Sequence, residues 1–295
     1  MSFLKSLFGS KENSPEEKKK DDDNKKFETL KYDGVRALKQ GQTDLAIKFL
    51  ARAIELNNDL ECRDYLSRAY IRADQLPLAA EQIKVMSEAQ PDNVAITVQL
   101  AEVAYMMEDY NMMAEACEKA IAHEVSDARI FFAYARAHKG LGHETEAIDM
   151  LDKAIEQRPD MADARLLRGE MLLAKGDTEG AGADAEALME QAPDSEEVLL
   201  LAARIAHATH DDAKAIKTYG KVIDVNPFCV AAFRERGALL LAQGDENGAK
   251  ADLQMVMELD PEAAGKVADG GEPESIEDSV KKAYNAINPF GLFNN

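Results

Sequence analysis

The chain has no tryptophan, only 6% aromatic residues and three cysteines in 295 residues. Cys62, Cys117 and Cys229 are odd in number, far apart and without metal-like spacing, so a disulfide framework has no support and each reads as a small buried hydrophobe. Basic residues are scarce: 35 Lys and Arg face 55 Asp and Glu, for a formal charge of −20. That balance argues against nucleic acid, whose binding is driven by cations releasing counterions from phosphate, and against anionic membranes. No run approaches the roughly 20 apolar residues of a membrane span, and the opening MSFLKSLFGSK lacks the apolar core and cleavage site of a secretory signal. These absences predict a cytoplasmic protein. Also missing are a phosphate-cradling Gly loop, HExxH, a nucleophile elbow and a CxxC pair, so no catalysis, cofactor or metal is expected.

What is present is a comb of prolines. Stepping by thirty-four residues from Pro159 reaches Pro193, Pro227 and Pro261, and two steps back reach Pro91. A fixed period of this length predicts stacked repeats rather than two ordinary domains. Seven units start near Phe27, Leu60, Val94, Ala128, Ala162, Glu196 and Val230, each with two amphipathic helical patterns around a turn. Gly41, Gly142, Gly176 and Gly244 share one turn position. The eighth position is small throughout: Gly34, Ser67, Ala101, Ala135, Gly169, Ala203 and Gly237. The twentieth is Ala46, Ala79, Ala147, Ala181, Ala215 and Ala249, with Met113 as the exception. Small residues at both places let the helices of a hairpin approach closely, and a longer one holds them apart unless a neighbour yields.

The small eighth residue, the twentieth Ala, the apolar residues near positions twenty-four and twenty-seven and the closing Pro resemble the tetratricopeptide repeat over about four-fifths of the chain. The usual Trp near the fourth position is absent, and Asn58 and Val125 stand where the first and third units would close on Pro. The resemblance implies an all-α, right-handed superhelical solenoid of about seven helix-turn-helix repeats, spanning 27–263. It also implies that positions two, five, nine and twelve of each first helix line a concave groove for partner peptides. At position five the central repeats carry Val98, Phe132, Leu166 and Leu200, bracketed by Lys31, Asp64 and Arg234 in the outer ones. Four apolar residues on an open face predict a binding strip, the alternative being a superhelix tight enough to bury them. Position nine alternates Arg68, Glu102, Arg136, Glu170 and Arg204, which suits either a ladder of ion pairs between neighbouring helices or a set of ligand contacts. Of the positions that grip chaperone C-terminal tails in one subclass of the family, here Lys31, Val35, Tyr65, Ala95 and Val98, only Lys31 fits.

Outside the repeats, residues 1–26 read as a disordered segment with a short apolar patch at Phe3, Leu4, Leu7 and Phe8. At the other end come a linker at 264–274, a capping helix at 275–287 and a flexible apolar tail at 288–295. His207 and His210, with Asp211 and Asp212, read as a polar helix end rather than a metal site. Met106, Met107, Met112 and Met113 read as packing around the third hairpin rather than a binding surface. The function expected is a non-enzymatic scaffold or adaptor for a protein or peptide partner. The alternative is an assembly or membrane-peripheral organiser acting through its terminal segments.

Overall fold

The structure is a computed structural model, and it describes residues 15–260. The N-terminal apolar patch, the linker 264–274, the helix 275–287 and the tail 288–295 lie outside the described residues. Among the described residues there are fourteen helices and no strand. The chain divides into two units, the first ending at Gln157 and the second starting at Arg158.

The first unit holds four hairpins: α1 (Pro15–Lys39) with α2 (Thr43–Leu56), α3 (Leu60–Arg72) with α4 (Leu76–Ala89), α5 (Val94–Met106) with α6 (Tyr110–Ala122), and α7 (Ala128–Gly140) with α8 (Glu144–Gln157). The second holds three: α9 (Ala162–Ala174) with α10 (Thr178–Gln191), α11 (Glu196–Ala208) with α12 (Asp212–Val225), and α13 (Val230–Ala242) with α14 (Glu246–Leu259). Six first helices begin at the residues where the period places their repeats, Leu60 through Val230. The first does not. α1 starts at Pro15, so residues 15–26, expected to be disordered, are helical. Pro suits the first turn of a helix, and the Glu and Lys that follow are good helix formers that need no buried face to continue it.

Within each unit, the small positions do what their size permits. Residues eight and twenty are buried in every repeat, from Gly34 and Ala46 to Gly237 and Ala249. A Cβ on Gly34 would stand 2.6 Å from the Leu50 side chain, and one on Gly169 would stand 2.9 Å from Leu201. Met113 is fully buried among Ala101, Ala104, Ala114 and Ala137, whose short side chains make the room that it takes.

Every hairpin turns in the same way. Gly41, Gly142, Gly176 and Gly244 have φ between +74° and +83°, and the equivalent residues of the other repeats, Asp74, Glu108 and His210, hold φ of 57°, 55° and 62°. The next residue opens the second helix, and Asp109, Asp177, Asp211 and Asp245 cap it by accepting the N–H three residues on. Repetition of the left-handed turn gives each hairpin the same sense, which places first helices beside first helices: α1 by α3 and α5 by α7 in the first unit, α9 by α11 in the second.

Candidate functional site

In the first unit the face formed by α3, α5 and α7 gathers five of the expected residues. Val98, Glu102 and Tyr105 lie on one side of α5 at intervals of four and three, the spacing that aligns side chains on a helix. Arg136 of α7 reaches across to them: its Nη1 donates to Glu102 Oε1 at 2.8 Å and its guanidinium sits 3.6 Å from the centre of the Tyr105 ring. Phe132, one turn earlier on α7, lies 5.7 Å from the same guanidinium. A salt bridge and a cation–π contact thus fix one arginine between two aromatic rings, with its side chain 18% exposed.

The rest of the alternating series does not form a ladder. Arg68 pairs with Asp64 on its own helix, with Nη2 to Oδ2 at 2.7 Å, and Asp64 also accepts from Gln99 of α5. In the second unit Arg204 turns forward to Glu235 of α13, donating from Nε at 2.9 Å and Nη2 at 2.7 Å, while Glu170 stands exposed on α9. The cross-helix rung expected from the period therefore closes at Glu102–Arg136, and the other arginines are captured by acids that the period does not mark. Arg204 is held firmly protonated, chiefly by its hydrogen bonds to Glu235 and against the cost of burial.

The apolar strip is also different from expectation. Val98, Phe132, Leu166 and Leu200 are half-buried rather than open. Val98 packs on the core between α5, α6 and α7, and Leu166 and Leu200 pack on the cores of the second unit. Small eighth residues bring neighbouring first helices close enough to cover position five. The exposed apolar surface of this region is instead Tyr105 at 41% and Met106 at 53%, at the end of α5. So the methionine cluster divides: Met112 and Met113 serve packing, and Met106 faces water.

The bracketing charges are internally satisfied. Lys31 Nζ donates to Asp59 Oδ1 at 2.8 Å and Glu61 Oε2 at 2.6 Å, and although burial opposes its charge these bonds raise its pKa above the ordinary lysine value. Arg234 lies 3.7 Å from Glu235. A carboxylate-gripping role for Lys31 is thus occupied by the chain's own acids.

The second unit contains buried acids that the sequence reading missed. Asp184, Glu235 and Asp252 are all under 5% exposed. Asp184 takes Arg165 and Arg168, Asp252 takes Arg236, and Glu235 takes Arg204 and the Tyr219 hydroxyl at 2.8 Å. Burial, then the adjacent Glu235, pushes the Tyr219 phenol well above its ordinary pKa. The signal was available: Arg168 with Asp184, and Arg236 with Asp252, repeat the same sixteen-residue interval at the same repeat positions.

On the second helices of the first unit, a cleft of about 570 Å³ is lined by residues including Lys84, Glu88, Met112, Glu115, Lys119 and His123. Its charges answer one another, as in the 2.7 Å pair of Lys119 with Glu115. Around the other flagged histidines, His207 Nδ1 lies 2.7 Å from Asp212 Oδ1, His210 occupies the left-handed turn and Asp211 caps α12. Among the described residues no group of three or more His, Cys, Asp or Glu converges as a metal site, and no helix is long and apolar enough to cross a membrane.

The comparisons with known proteins agree with this fold. Residues 132–196 match the tetratricopeptide-repeat family. The cellulose synthase operon protein C of Pseudomonas fluorescens (strain SBW25) is 30% identical over 90 residues, 30% of this chain and 7% of that much longer protein. A tetratricopeptide repeat protein from Parabacteroides merdae superposes with a TM-score of 0.63 at 15% identity, over 88% of this chain and 99% of its own. YrrB, described as a tetratricopeptide-repeat protein with an unusual peptide-binding site, superposes with a TM-score of 0.52 at 21% identity, over 62% of this chain and 95% of its own. The family match is confined to residues 132–196, and the superpositions show over most of the chain the all-α helical-repeat fold that tetratricopeptide-repeat proteins have.

Proposed function

We propose that the protein is a non-enzymatic interaction scaffold, cytoplasmic in location, that receives an extended segment of a partner protein on the first-helix face of its first unit. The observation that carries this reading is Arg136, fixed by Glu102 and the half-exposed Tyr105 ring, at the end of a helix whose next residue, Met106, is also exposed. Aromatic and Arg side chains that are already ordered make good anchors, because little rotamer freedom is left to lose on binding. The guanidinium has donors beyond the one used by Glu102, and they suit the backbone carbonyls or carboxylates of a peptide. Val98 and Phe132 supply a half-buried apolar floor, and Arg68 a further polar contact. Leu166, Leu200, Glu170 and Arg204 give the second unit a surface of the same type, with more of it committed to internal packing.

The test uses peptides selected from a random display library against the full chain, with affinities measured by fluorescence polarisation. Tyr105→Ala combined with Arg136→Ala is expected to weaken binding by at least about tenfold, the loss of a typical anchor pair, with the circular dichroism spectrum unchanged. Undiminished affinity in that variant contradicts the reading.

A further inference from the structure

The turn between α12 and α13 carries an aromatic residue where its proline-closed equivalents carry an acid. After the closing proline the chain runs Pro91-Asp92, Pro159-Asp160 and Pro193-Asp194, but Pro227-Phe228. These aspartates mark a water-facing position; the Asp92 side chain is 78% exposed. Phe228 is 74% exposed, and Val225, three residues before it, is 46% exposed. The fold has no use for a phenyl ring there, since three equivalent turns close with an acid.

The backbone under that ring is held from several directions. Asn226 ends α12 by donating its N–H to Val222 O at 2.8 Å. Its Oδ1 accepts the Phe228 N–H at 3.0 Å, its Nδ2 donates to Glu196 Oε2 at 2.7 Å, and its carbonyl accepts the Cys229 N–H at 3.1 Å. Pro227 fixes φ between them, and Cys229 is buried in the core of α11, α12 and α13. The ring therefore stands on a rigid base and has only its own two torsions to order when it is covered.

We propose that Asn226-Pro227-Phe228 is a second recognition element, a preformed aromatic knob that enters a phenyl-sized apolar pocket with a basic rim on a folded partner protein. The rim follows from charge: the turn is tied to Glu196 and preceded by Asp224 in a chain of formal charge −20. The same charge opposes a second copy of this chain as the occupant. The tripeptide recurs at Asn288-Pro289-Phe290, so one pocket chemistry can read the chain twice, and two copies on one molecule raise the effective concentration of the second. This element belongs to the second unit and stands independently of the peptide surface on the first.

The experiment immobilises the full-length chain, exposes it to lysate of its source cell and quantifies captured proteins by mass spectrometry. Wild type is compared with Phe228→Asp, with Phe228→Asp/Phe290→Asp, and with wild type in excess synthetic peptide spanning 224–230 or the same peptide with alanine for its phenylalanine. The expected result is a protein whose capture falls at least tenfold in the double variant and with the phenylalanine peptide, survives the alanine peptide, and binds the phenylalanine peptide when purified. That protein should be retained by Tyr105→Ala/Arg136→Ala, which separates this element from the first-unit surface. Phe228 is exposed, so its replacement leaves the fold intact by circular dichroism. Capture insensitive to both the variants and the peptides overturns the proposal, as does a dimer seen by light scattering that is lost with Phe228→Asp.

Discussion

Met113 shows how a single residue can break a repeat pattern and still belong to the core. The repeat position calls for Ala, yet Met113 is fully buried and its neighbours are alanines sized to receive it. Met113→Ala, a change toward the repeat pattern, is therefore expected to destabilise the protein by about 2–4 kcal/mol through the cavity it leaves, read as a lower urea midpoint. Asp184 makes the opposite case, a charge that the core tolerates only because Arg165 and Arg168 surround it. Asp184→Ala should cost about 3–5 kcal/mol in the same measurement, because two arginine side chains lose the acid that offsets their burial. The small residues were legible in the sequence because a period repeats them seven times. The buried acids Asp184 and Asp252 were legible only through their repeated interval to an arginine, because a carboxylate in an amphipathic helix normally marks the solvated face and only its pairing with an arginine on the facing helix reverses that assignment.

Among the elements, the hairpin turn carries the most regular constraint in the chain. Its left-handed residue is Gly in four repeats and Asp74, Glu108 or His210 in the other three, where a Cβ crowds the following carbonyl. Glu108→Gly is expected to stabilise the protein by about 0.5–1 kcal/mol, the relief of strain exceeding the added freedom of the unfolded chain, and to raise the thermal midpoint. A lower midpoint would show that the Glu108 side chain contributes contacts of its own. The helix starts of six repeats could be read from the sequence because prolines and small residues mark them. α1 could not, since its extension to Pro15 rests on helix propensity in a charged segment with no apolar stripe, and periodicity is blind to such a helix. The candidate site was legible in part for a related reason. Spacing placed Glu102 opposite Arg136, whereas the partners of Arg68 and Arg204 depend on which nearby acid a long side chain reaches first.

At the scale of the whole molecule, stability should fall in alkali. Burial pushes the thiols of Cys62 and Cys229 up to about 11 and that of Cys117 up to about 12, from an ordinary value of 9.0. Unfolded thiols ionise first as pH rises past 9, so this contribution is fully present below pH 9 and is lost as pH climbs through 11 to 12. The urea midpoint should accordingly drop over that window, and a thiol-reactive disulfide reagent at pH 8 should label the folded protein only as fast as it opens. The central claim is that partner peptides lie on the first helices of the first unit. It is tested most directly by hydrogen exchange, read by mass spectrometry, on the full chain with and without a saturating selected peptide. The account predicts added protection in α5 and α7, centred on the segments holding Glu102 to Met106 and Phe132 to Arg136. Protection confined to α4 and α6, around the cleft between Lys84 and Lys119, would contradict it.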